Sequence, residues 1–70
     1  MLDFWVTIQG LEEDKAKLLY QKHHNGSIHC TVFPEKTFIY GVATQDKINA
    51  IVDDIIALNK DYGLVVKEVT

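Results

Sequence analysis

From Leu2 to Ile8 apolar and polar positions alternate: Leu2, Phe4, Val6 and Ile8 share one side, Asp3, Trp5 and Thr7 the other. Period two over seven residues predicts a half-buried strand. Glu12-Glu13-Asp14 opens a helical stretch, with negative charge where the helix dipole favours it. It runs to about His24 and stops at Asn25-Gly26, a left-handed C-terminal signal. Ala16, Leu19, Tyr20 and His23 fall on one face of it, and Leu18 falls off that face. Ile28 to Phe33 and Thr37 to Ala43 are β-prone runs around Pro34-Glu35-Lys36, which predicts a hairpin. Thr44 is the expected N-cap of a second helix, with Asp46 in its first turn. There Ile48, Ile51, Val52, Ile55, Ile56 and Leu58 make a broad apolar stripe opposite Asn49, Asp53 and Lys60. That helix ends near Asn59, and Gly63 lies just before a last strand, Leu64 to Val69.

The resulting order is β-α-β-β-α-β. Right-handed crossovers place both helices on one side of a four-stranded antiparallel sheet, an α+β sandwich of the ferredoxin-like kind. An all-antiparallel meander would leave the second helix's stripe without a partner. Seventy residues give room for one domain, spanning 1–70. A chain this short buries only about 60% of its unfolded surface, so association with other copies would add needed burial.

Hairpin register decides which side chains lie on the uncovered face. A loop centred on Glu35-Lys36 pairs Phe33 with Phe38, Thr31 with Tyr40 and His29 with Val42, and directly paired residues share a face. Ile28, Cys30 and Val32 then join Ile39, Gly41 and Ala43 beneath the helices. Trp5, Phe33, Phe38 and Tyr40 are expected on the bare side, and an aromatic patch on a small domain marks an interaction surface. Three uses compete: sheet-to-sheet packing in a homodimer, binding of a different protein, and stacking of nucleobases. Lys36-Thr37-Phe38-Ile39-Tyr40-Gly41-Val42 resembles the third-strand motif of RNA-recognition domains at its lysine and its two alternating aromatics. It departs from that motif at Thr37, where the family has glycine, and at Ile39, where the family keeps a small residue.

Charge narrows the choice. Ten Asp and Glu face seven basic residues, all lysine, for a net charge of −3. An acidic chain without arginine lacks the bidentate fork for phosphate, so direct nucleic-acid binding is not expected. The acylphosphatase family shares the element order, but its chemistry rests on an arginine missing here. Gly10-Leu11 after the first strand is similar to the first loop of amino-acid-sensing regulatory domains, a fold-level likeness. The single cysteine, Cys30, allows no intrachain disulfide and suits a reducing compartment. The start of the chain has no basic segment followed by a long apolar one, and no stretch approaches a membrane span. A cytoplasmic, soluble protein without membrane contact is expected.

His23, His24, His29 and Cys30 are the densest set of metal-ligand types, but His29 and Cys30 point to opposite faces of a strand. No metal and no cofactor is expected. His23 and His24 read as favourable cations at a helix C-terminus, and Cys30 as an inert core thiol. No phosphate loop, nucleophile elbow or dinucleotide fingerprint occurs, so no enzymatic activity is expected. The acidity suggests an alternative. Glu12, Glu13, Asp14, Asp46, Asp53 and Asp54 lie on or beside the helices, and a dimer formed through the sheet would turn them outward. Such an object could occupy the basic surface of a DNA- or RNA-binding protein as an inhibitor, its carboxylates standing in for phosphates. The primary expectation is a non-enzymatic protein-interaction module, homodimeric through Trp5, Phe33, Phe38 and Tyr40.

Overall fold

The computed structural model describes residues 1–68. Its elements are β1 (Leu2–Gln9), α1 (Glu13–His23), β2 (Ile28–Val32), β3 (Lys36–Ala43), α2 (Gln45–Ala57) and β4 (Tyr62–Glu68). They form one antiparallel sheet in the order β2-β3-β1-β4, the ferredoxin-like arrangement. Val69, expected to close the last strand, lies outside the described residues.

The central strand organises the rest. Phe4, Val6 and Ile8 of β1 are buried together with Ile39 and Ala43 of β3, Ile28 of β2 beyond it, Ala16 and Leu19 of α1, and Ile48, Ile51 and Ile55 of α2. The helices therefore cover the even-numbered side of β1 and leave the odd-numbered side bare. Thr44 caps α2, its Oγ1 accepting from the Lys47 N–H at 3.2 Å, which satisfies one of the free donors of the first turn.

Four local expectations are corrected. The hairpin register lies two residues from the expected one: His29 faces Tyr40, Thr31 faces Phe38 and Val32 faces Thr37. The turn centres on Pro34-Glu35, closed by the Phe33 N–H donating to the Lys36 carbonyl at 2.8 Å. Proline's fixed φ suits the first turn position, and Lys36 is drawn into β3 opposite Gln9. An even shift keeps every side chain on its expected face.

The left-handed residue after a helix is Asn59 at φ 55°, following α2, rather than Asn25-Gly26. Asn25 instead accepts the Ser27 N–H on its own Oδ1 at 2.7 Å, a side-chain turn that competes with the helical stop. Ile56 is 55% exposed, outside the core expected of it. Finally, Gly63 lies inside β4, which begins at Tyr62.

Gly41 is needed where β3 passes the start of β2. It sits at φ +147°, and a Cβ there would stand 1.9 Å from the Ser27 carbonyl oxygen. That same oxygen accepts the Val42 N–H.

Ile51 is fully buried, and Ile51→Ala is expected to lower unfolding free energy by about 2–5 kcal/mol in denaturant titration. Thr37 is equally buried, yet its hydroxyl has no hydrogen-bond partner. Thr37→Val is therefore expected to raise stability by about 1 kcal/mol, and a loss of stability would contradict this packing.

Candidate interaction surface

The bare face is built by alternation. Trp5 lies opposite Tyr40 on one side and Val65 on the other, and Thr7 lies opposite Phe38. Cross-strand neighbours on one face come close enough for their rings to meet. Trp5 and Tyr40 stack at 4.7 Å between centroids and 21° between planes, and Phe38 tilts against Trp5 at 5.2 Å. His29 approaches Tyr40 at 5.6 Å, and Phe33 meets Phe38 edge-on at 5.6 Å. Five rings thus run in series across β2, β3 and β1: His29, Tyr40, Trp5, Phe38, Phe33. The four aromatics singled out from the sequence are all on this face and in contact as one group.

The series is fixed at its centre and open at its end. The Trp5 indole N–H donates to Thr7 Oγ1 at 3.0 Å, which sets the ring's orientation on the strand. Lys36 Nζ stands 5.5 Å from the Phe38 centroid, within range for a cation–π contact. Trp5 and Phe33 are 43% and 46% exposed, while Phe38 and Tyr40 between them are half-buried. Asp3, Trp5, Tyr40, Val65 and Lys67 line a cleft of about 370 Å³ beside the stack. Among the described strand residues of this face Asp3 is the one carboxylate, opposite Lys67 on β4, while Lys36 stands at the other end of the sheet opposite Gln9, so most of the chain's acidity is carried elsewhere.

The acidic positions are dispersed. Glu12, Glu13, Asp14, Asp46 and Asp53 are exposed. Glu13 pairs with Lys17 at 3.4 Å, and Asp54 is turned into the contact between the helices. There it bonds the buried His23 through Nε2 and accepts from Lys22 Nζ at 3.1 Å. Partial burial pushes the Asp54 carboxyl up, but the His23 and Lys22 hydrogen bonds and charges outweigh it and hold the carboxyl below its ordinary value. His23 Nδ1 is buried without a partner, which favours the tautomer with its proton on Nε2.

This pairing escaped the sequence reading, which made His23 a helix-terminal cation. The available signal was its place on the Ala16–Leu19 stripe, since a histidine buried there requires a polar partner.

Cys30 is half-buried against the core, its thiol pushed up by burial and so held protonated. His29 lies on the bare face, so the two are not brought together. Among the described residues no cluster of three His, Cys, Asp or Glu side chains could hold a metal ion. Nor is any helix among them long and apolar enough to cross a membrane. Compared with protein-family models and with curated proteins, the chain matches none.

Asp54→Asn removes the charged acceptor of a buried imidazole N–H and is expected to cost about 1–3 kcal/mol at neutral pH. A carboxyl lowered by folding stabilises fully above its unfolded value, ordinarily 3.8, and that contribution disappears as pH falls through the folded value. Denaturant titrations of the two proteins across pH should therefore converge in acid. A gap that stays constant into strong acid would contradict the role given to this pair.

Proposed function

We infer that this chain is a small non-enzymatic interaction module of the cytoplasm that self-associates through the aromatic face of its sheet. The observation that carries this reading is the unbroken ring series from His29 to Phe33, left open to solvent at Trp5 and Phe33. Rings held rigidly on strands lose little entropy when covered, and each well-placed aromatic pair adds about 0.5–1.5 kcal/mol beyond its buried area. Two sheets packed face to face about 10 Å apart would interleave these rings and give each small domain a second apolar layer. The near balance of charge on the face, Asp3 against Lys36 and Lys67, removes the repulsion that would oppose two copies of an acidic protein meeting there.

The inhibitor reading draws less support. Its carboxylates stand on both helices, but Asp54 is committed to His23 and Lys22, and Glu13 lies beside Lys17. A basic partner would meet a mixed surface rather than a row of free negative charge. Stacking of nucleobases would use the same rings, but among the described residues only Lys36 and Lys67 stand near them to meet phosphate.

Light scattering on the native protein and on Trp5→Ser/Tyr40→Ser tests the proposal. The double variant is expected to fold, because both residues lie outside the core, and to show half the native solution mass. The native mass should persist at about 0.5 M salt, since aromatic burial is not screened. An unchanged mass for the double variant, or a native protein running as one 8.0 kDa chain, would contradict self-association through this face.

A further inference from the structure

β4 is an edge strand, and every one of its residues is exposed. Its middle, Tyr62-Gly63-Leu64-Val65-Val66, holds no charge, proline or bulge, the devices that normally keep a sheet edge from pairing. Tyr62, Leu64 and Val66 lie opposite Ile8, Val6 and Phe4, hence on the helix-covered side, yet remain 38%, 38% and 37% exposed. Ile56 belongs to the same region. Asp54 faces α1 through His23, so Ile56, two residues and about 200° further round α2, is turned away from α1 and towards the open edge.

The hydrogen-bond phase of the edge is readable. The Gln9 N–H donates to the Asp61 carbonyl, and the ladder runs on through Thr7–Gly63 and Trp5–Val65. Odd-numbered residues therefore turn their backbone groups towards β1, and Tyr62, Leu64, Val66 and Glu68 turn theirs outward.

We propose that β4 pairs with β4 of a second copy, antiparallel, with Leu64 on the two-fold axis. In this register the outward groups meet outward groups. Tyr62 lies opposite Val66 of the second copy, an aromatic–β-branched pair on the helix side, and Gly63 lies opposite Val65 on the bare side.

Charge selects this register over its neighbours. It sets Lys67 against Asp61 and Glu68 against Lys60 of the second copy, four opposite-charge pairs by symmetry. Sliding by two residues one way sets Glu68 against Tyr62 and Lys67 against Gly63. Sliding the other way sets Asp61 against Val65 and Lys60 against Val66. A shift by one residue puts outward groups opposite inward ones and loses the hydrogen bonds. The two-fold axis stands perpendicular to the sheet, so both helical layers lie on one side. The two aromatic faces then form a continuous platform on the other. Edge pairing is independent of contact through that platform and is compatible with it.

The test uses the Trp5→Ser/Tyr40→Ser protein, so that the edge is read without the aromatic face. It is expected to have the mass of two chains, and adding Leu64→Pro to return it to one. Leu64 donates outward, so proline there removes no bond to β1. Lys60→Glu or Glu68→Lys alone, each setting like charges together twice, should weaken pairing about tenfold at low salt. The two together should restore it. Three outcomes would overturn the proposal: one-chain mass before Leu64→Pro is added, two-chain mass after it, or a charge-swapped double weaker than either single. If the native protein pairs and Leu64→Pro separates it while Trp5→Ser/Tyr40→Ser does not, edge pairing stands and the aromatic-face reading fails.

Discussion

Alternation along β1 is the constraint on which everything else depends. β1 is flanked on both sides, by β3 and β4, so its in-out pattern is imposed on the whole sheet through direct cross-strand pairing. Phe4, Val6 and Ile8 have no stable place except beneath the helices, and burying them leaves Trp5 and Thr7 nowhere but the bare side. Tyr40 and Phe38 follow because they pair with those two residues. The aromatic face is thus the other half of the pattern that builds the core.

That dependence explains which parts of the molecule were legible from the chain alone. Element order and facing follow from local periodicity, and the error in hairpin register did no harm because it was even. Register itself depends on which residue proline's ring places at the turn, a choice that a β-prone run does not announce. Ile56 shows the limit of helical periodicity. The stripe Ile48–Leu58 is wider than the strip of sheet beneath α2, and the excess falls over an edge that no other element among the described residues covers. The His23–Asp54 pair joins residues thirty-one positions apart. Nothing in the spacing of either helix indicates that they meet.

The same pair shows how an acidic chain keeps its charge from dominating its surface. The Asp54 carboxylate is used to satisfy a buried imidazole, and lysines four residues from or across from acids divide the helical surface into mixed patches. The bare sheet face carries almost no acid, and the open edge carries its charges only at its ends, with opposite signs. Those two surfaces are the ones on which copies of a protein of net charge −3 can approach each other without repulsion.

The most direct test of the central claim, that the alternation of β1 supplies both a core and an association surface, uses the chain's single tryptophan. Trp5 is the only indole in the sequence and stands in the middle of the ring series. Its emission maximum should be followed as the native protein is diluted from high to very low concentration. The account predicts blue-shifted emission when concentrated, moving to the red as copies separate and water reaches the indole. Emission that stays constant over the whole range, with the protein folded throughout, would contradict it.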